Sequence, residues 1–194
     1  AALVDHPDGQ QQAVAEGLES GKLAGFEVDL GNELCKRAGL ECEWVVNEWD
    51  TMIPNLIAGN YDAIMAGMSI TDERRESIDF SAEYFPPDPS RFVGAKGTSL
   101  DTSMMKGLKI GVQGGTIQAA YAEENFKDGN SILSFETGDQ SIADLAAGNV
   151  DVVLADGSFL EPAVKGSGGM LEFVGEELLI GGGIGIGLRK GDTE

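Results

Sequence analysis

From Phe26 onward the apolar positions keep helical spacing, at Val28, Leu30, Leu34 and Cys35, until Gly39 ends the pattern and Cys42 to Val46 reads as a strand. A second pair follows at once. Met52, Ile53, Leu56 and Ile57 form one helical face, with Pro54 tolerated in its first turn; Gly59 stops it, and Tyr61 to Ala66 has the character of a buried strand. Beyond Pro86, Pro87 and Pro89 the alternation resumes: strand Leu108 to Val112, helix Thr116 to Phe126, strand Ser131 to Phe135, helix Gln140 to Ala147, strand Val150 to Ala155. Such alternation predicts an α/β fold of mostly parallel sheets with crossover helices. In folds of this kind the loops at the carboxyl ends of strands are the usual binding positions.

One internal repeat divides the chain. Leu56-Ile-Ala-Gly-Asn-Tyr-Asp-Ala-Ile-Met-Ala-Gly67 recurs as Leu145-Ala-Ala-Gly-Asn-Val-Asp-Val-Val-Leu-Ala-Asp156, one copy on either side of the proline cluster. Each copy reads as helix end, Gly-Asn turn and buried strand. The pattern predicts two related lobes, 1–87 and 96–182, with 88–95 crossing between them and 183–194 crossing back; on composition alone, the first crossover reads equally well as a surface loop. If the lobes face one another, the strand ends at Gly67 and Asp156 line a cleft.

A chain of 194 residues with 42% apolar content is long enough for one ordinary domain or two small ones with real cores. Thirteen basic residues against thirty-three acidic ones give a net charge of -20, which repels phosphate backbones and argues against a nucleic-acid partner. The apolar runs are too short to span a bilayer and no signal pattern opens the chain, so an exported protein would be present here in its mature form. Two cysteines cannot make a four-cysteine zinc site, and the lone His6 lies far from them, so no metal is expected. Cys35 and Cys42 stand where the first helix gives way to a strand; a disulfide fits there, as do two separate buried thiols.

Two segments and one acid could carry binding chemistry. Ala66-Gly-Met-Ser-Ile-Thr-Asp-Glu-Arg-Arg-Glu76 leaves a strand through small residues and enters a short polar helix with Thr71 as N-cap. Exposed N–H groups around Ser69 favour an anion, and Arg74 adds a planar fork suited to a carboxylate; a solvated helix with ordinary salt bridges is the competing reading. Gly111-Val-Gln-Gly-Gly-Thr-Ile-Gln118 is again a strand end turning into a helix. Its spacing departs from G-x-G-x-x-G and no P-loop lysine follows, so no nucleotide cofactor is expected. The glycines at 181–183, 185 and 187 precede Leu188-Arg-Lys rather than a helix, and read as a close-packed or crossover strand. Asp156 is by itself more often a helix cap, but with an arginine it complements a zwitterion. Trp49 suits an apolar wall for a ligand or a place in the core. With one histidine there is no Ser-His-Asp set, and nothing requires catalysis.

Taken together, Gly25-Phe-Glu-Val-Asp-Leu30, the Cys35 and Cys42 pair, Ile64-Met-Ala-Gly-Met-Ser-Ile-Thr-Asp-Glu-Arg74, Ile78-Asp-Phe80, Gly111-Val-Gln-Gly-Gly-Thr116 and Gly185-Ile-Gly-Leu-Arg-Lys190 resemble the amino-acid-binding proteins of bacterial ABC importers, closest in look to lysine/arginine/ornithine and histidine binders. The resemblance runs from about Lys22 to the last residue. It implies a periplasmic-binding-protein type II fold of two lobes joined by two crossover strands, closing around a ligand. It implies a non-catalytic, monomeric periplasmic protein that delivers a free L-amino acid to an inner-membrane permease. By position, Arg74 with the backbone of Ser69 and Ile117 would hold the carboxylate, and Asp156, the Ser69 hydroxyl and the carbonyl region at Gly67 the ammonium. Trp49 would stack on the ligand side chain, Gln113 and Gln118 would lie near it, and Ala66 and Thr116 would also be among the ligand-binding residues. Cys35 would pair with Cys42. Three departures accompany this. No first strand or following aromatic-proline segment is recognisable in Ala1 to Ser20; the sequence stops at Glu194, before the returning helices; and Ala66 and Gly67 stand where some basic-ligand binders have serines. A dehydratase on the same fold and the sensor domain of a receptor are the rival functions.

Overall fold

In the computed structural model, which describes residues 2–5, 16–17 and 23–192, the chain divides into two units, Ala1–Pro87 with Gly181–Glu194, and Asp88–Ile180. Unit 1 runs β1 (Ala2–Asp5), β2 (Glu16–Gly17), β3 (Leu23–Ala24), α1 (Phe26–Ala38), β4 (Glu43–Val46), a 3-10 turn at Trp49–Thr51, α2 (Met52–Ile57), β5 (Ala63–Ile64), α3 (Asp72–Ser77) and β6 (Ile78–Phe80). Unit 2 runs β7 (Ser90–Ala95), β8 (Lys109–Gln113), α4 (Ile117–Asn125), β9 (Ser131–Phe135), α5 (Gly138–Ala146), β10 (Val152–Asp156), α6 (Gly157–Gly166) and β11 (Leu171–Leu178), and β12 (Gly187–Arg189) completes unit 1.

Each unit is built on a mixed five-stranded sheet, ordered β4-β1-β5-β12-β6 in unit 1 and β11-β7-β10-β8-β9 in unit 2. The helix-linked strands β4, β1 and β5 run parallel, as do β10, β8 and β9. The antiparallel members are those that no crossover helix precedes in the same sheet: β12 pairs with β5 and β6, and β7 with β10 and β11. Residues 90–95 are therefore an internal strand of the unit 2 sheet.

Strand periodicity sets the cores. In unit 1, Ile64, Ala66 and Met68 face one side with Trp49, Met52, Leu56, Tyr61 and Ile78, while Ala63 and Met65 face the other with Leu30, Cys35, Trp44 and Leu188. In unit 2, Val152 and Leu154 point toward Phe92, Ile110 and Phe126, and Val153 and Ala155 toward Val93, Leu145 and Leu160. Burial pushes the Tyr61 phenol up to about 12, and it stays a donor, to the Met52 carbonyl at 2.5 Å.

The repeat is a repeat of structure. Gly59 and Gly148 end α2 and α5 with φ of 80° and 76°. The next residue donates back in the same way in each copy: Asn60 N–H to the Asn55 carbonyl with its side chain on Asn55 Oδ1, and Asn149 N–H to the Asp144 carbonyl with its side chain on Asp144 Oδ1.

The N-terminal expectation is corrected. A first strand does exist within Ala1 to Ser20: it is β1, paired on both sides, at Ala2↔Glu43 through Asp5↔Val46 and at Leu3↔Ala63. Four residues are too few for periodicity to register, and only pairing reveals them. His6 and the aromatic-proline position lie outside the described residues. Cys35 and Cys42 are joined as a disulfide, tying the last turn of α1 to the segment entering β4.

The glycine-rich return to unit 1 is close-packed. A Cβ at Gly182 would lie 2.8 Å from the Ile70 carbonyl oxygen, and one at Gly185 would lie 2.8 Å from Ile70 Cδ1. Gly182→Ala should therefore cost about 1–3 kcal/mol of stability through overpacking, read as a lower midpoint in urea. Replacing both cysteines by alanine should cost about 2 kcal/mol, as expected for a short closed loop; the same loss should appear when the wild-type protein is melted in dithiothreitol.

Candidate functional site

In unit 1 the candidate residues follow β5. Past Ala66, whose methyl is in the core at 1% exposure, the chain turns at Gly67 with φ 55°. Residues 68–70 then lie along the glycine-rich return: Ile70 N–H donates to the Gly183 carbonyl at 2.9 Å, Gly182 N–H to the Ile70 carbonyl at 3.0 Å, and Ser69 bridges Ile184. Thr71 caps α3, its hydroxyl oxygen accepting from Arg74 N–H at 3.1 Å. The Arg74 side chain folds back over this turn. Nη1 donates to the Ser69 carbonyl at 2.9 Å, and the guanidinium carbon lies 5.5 Å from the centre of the Trp49 ring. Trp49 is 9% exposed and packs among Met52, Leu56 and Met68, so it serves the core and the arginine together.

In unit 2 the candidates lie at the carboxyl ends of β8 and β10. After Gln113 the chain passes Gly114, where a Cβ would lie 2.9 Å from Ser134 Oγ, and Gly115 at φ 71°. Thr116 then caps α4: its hydroxyl accepts from Ala119 N–H at 3.1 Å and donates to the Gln113 carbonyl at 2.8 Å. Ile117 opens the helix, so its N–H is among those a helix cannot satisfy internally. Gln118, 2% exposed, turns inward; its Nε2 donates to Asp156 Oδ1 at 2.6 Å and to Ser90 Oγ at 2.9 Å.

Asp156 does occupy the N-cap position of α6, but its side chain makes no cap hydrogen bond. The carboxylate is turned to Gln118 instead. Gly157 follows because its N–H meets the Pro89 carbonyl at 2.9 Å, where a Cβ would lie 2.9 Å from that oxygen. Gln113 is almost fully buried, donating through Nε2 to the Glu136 carbonyl at 3.1 Å, while its Oε1 has no hydrogen-bond partner among the described residues.

The structure thus gathers Trp49, Ala66, Gly67, Ser69 and Arg74 in unit 1, and Gln113, Thr116, Ile117, Gln118 and Asp156 in unit 2. Ser90 joins the second group without any signal in the sequence beyond its place opposite Asp156 in the β7–β10 register. Unit 1 contributes a guanidinium that meets the Ser69 carbonyl and the Trp49 ring, and unit 2 a carboxylate that meets Gln118. Among the described residues no cluster of His, Cys, Asp or Glu could hold a metal ion, and no helix is long and apolar enough to cross a membrane.

The family model described as bacterial extracellular solute-binding proteins, family 3, matches residues 13–193. The chain is 38% identical over 183 residues to the lysine/arginine/ornithine-binding periplasmic protein of Escherichia coli (strain K12), covering 90% of this chain and 70% of the relative. It is 39% identical, with the same coverage, to the L-arginine-binding protein of Pseudomonas aeruginosa. Among solved structures it is similar, at a TM-score of 0.89 and 44% identity, to a periplasmic His/Glu/Gln/Arg/opine family-binding protein from Silicibacter pomeroyi in complex with lysine, covering 100% of this chain and 84% of that one.

The Gln118 network generates a test that needs no ligand. Gln118→Leu removes the donor shared by the part-buried Asp156 carboxylate and the buried Ser90 hydroxyl, and should lower stability by about 1–3 kcal/mol, the cost of losing a buried hydrogen-bonding group. Chemical denaturation followed by circular dichroism measures it.

Proposed function

Because the chain belongs to the bacterial extracellular solute-binding proteins, family 3, we propose that it captures a free basic or polar L-amino acid in the periplasm and delivers it to an inner-membrane ABC permease. The family and the relatives named above are binding proteins, not enzymes.

The observation that carries this reading is the fixed guanidinium of Arg74, supported from the Ser69 carbonyl and the Trp49 face. A planar fork held in this way suits a carboxylate, to which it offers two parallel hydrogen bonds. Asp156, oriented by Gln118, complements the ammonium of the same ligand, so neither ion of the zwitterion goes unpaired. The N–H groups at Ser69 and Ile117 add donors to the carboxylate, and Trp49, Gln113, Thr116 and Gln118 adjoin the side chain. A basic side chain is favoured by the net charge of -20, which draws cations toward the protein, and by the lysine and arginine that the relatives' names record. A ligand that engages both groups at once favours whichever conformation allows both contacts, which is how binding would be signalled to the permease.

Isothermal titration of the folded protein with the common L-amino acids is the test. L-arginine, L-lysine or L-histidine should give saturable heat, and a protein silent to every amino acid would overturn the proposal. Arg74→Ala should weaken all ligands by about 100-fold or more, since it strips the common carboxylate partner. Asp156→Asn should weaken them too while sparing the fold.

A further inference from the structure

Glu27 is fully buried, the only acidic side chain among the described residues to be so. It lies in the first turn of α1 and reaches two distant parts of unit 1: Oε1 accepts from Gly67 N–H at 2.7 Å and from the Tyr84 hydroxyl. Oε2 is buried with no hydrogen-bond partner among the described residues. Packing alone does not call for such a group, because an apolar side chain would fill the space without the cost of burying a carboxyl.

What Glu27 touches gives it a purpose. Gly67 is the left-handed residue at which the chain leaves β5, and its N–H is met by a side chain from α1. Two residues on, the Ser69 carbonyl holds Arg74 Nη1. A run of contacts therefore leads from Glu27 through the Gly67 amide and the turn to the guanidinium. We propose that Glu27 is a positioning residue of the binding site, whose carboxyl group latches the Gly67 amide and so fixes the turn that presents Ser69 and Arg74. The inference rests on the functional reading above, in which those two residues meet the ligand's carboxylate.

The latch has a pH signature. Burial raises the Glu27 carboxyl above its ordinary value of 4.5, and the hydrogen bonds from Tyr84 and Gly67 offset part of the rise. The groups that act on it are the Tyr84 phenol, from the segment after β6, and the Gly67 amide at the end of β5; no cation contributes among the described residues. A carboxyl raised in the folded state stabilises the fold fully below its unfolded value, and that contribution is lost as pH rises through the folded value. Glu27→Gln, neutral at every pH and still an acceptor, removes this dependence. Its stability relative to wild type should therefore improve with rising pH.

The test follows the Gly67 amide resonance by NMR from about pH 4 to about pH 8, beside titrations of wild type, Glu27→Gln and Glu27→Leu with L-arginine and L-lysine. In wild type the resonance should titrate with a midpoint above 4.5; in Glu27→Gln it should be flat. Glu27→Leu should bind about tenfold more weakly, from the loss of one buried acceptor, with a cooperative melt retained, and Glu27→Gln should recover most of the affinity. A Gly67 resonance indifferent to the residue at 27, or a folded Glu27→Leu that binds like wild type, would overturn the latch. Should Glu27→Leu not fold, the Gly67 titration in wild type and Glu27→Gln decides the matter. If wild type binds no amino acid, the functional reading falls, and the resonance still decides whether Glu27 holds the turn.

Discussion

The close approach of two backbones, residues 68–70 and 182–185, is the constraint on which unit 1 depends. Hydrogen bonds from Ile70 N–H to the Gly183 carbonyl and from Gly182 N–H to the Ile70 carbonyl leave no room for a Cβ at Gly182. The return segment therefore has to be glycine where it passes the turn, and a side chain is possible only where it points away, as at Ile184. The return segment continues into β12, which lies between β5 and β6, and its hydrogen bonds attach the loop that carries Ser69 and Arg74. Arg189 extends the attachment, donating to the Tyr61 carbonyl and to Asp62 Oδ1.

Both candidate groups meet one electrostatic problem in different ways. A charge that is partly kept out of water needs partners that hold it in place. Arg74 is held by a carbonyl and an aromatic face, and Asp156 by an amide that Ser90 also shares. These dipoles and the ring quadrupole help to fix the direction of each ion.

Much of this was legible in the residues. The helix from Phe26 to its stop at Gly39, the Gly-Asn turns after α2 and α5, and the Thr71 cap are local events, written within a few positions of one another. The strand at Ala2–Asp5 was not legible, since four residues acquire strand character only from β4 and β5. The direction of β7 and β12, whose segments the residues marked only as crossovers, was hidden for a related reason: strand direction is a property of pairing, and periodicity carries no sign. Asp156 shows the limit at the site itself. Its position announced a helix cap, yet the side chain makes no cap hydrogen bond and meets Gln118, which arrives from another helix.

The interrupted layout of unit 1 bears on how the chain is assembled in time. Unit 2 is one continuous stretch, Asp88–Ile180, whereas unit 1 draws its fourth strand from beyond that stretch. As a polypeptide emerges from its amino end, the inserted unit has all its strands before the host has its last. The first eighty-odd residues must wait with β5 and β6 unjoined, exposing strand edges in the meantime. The loop that carries Ser69 and Arg74 gains its hydrogen-bonded neighbour only when the glycine-rich return arrives.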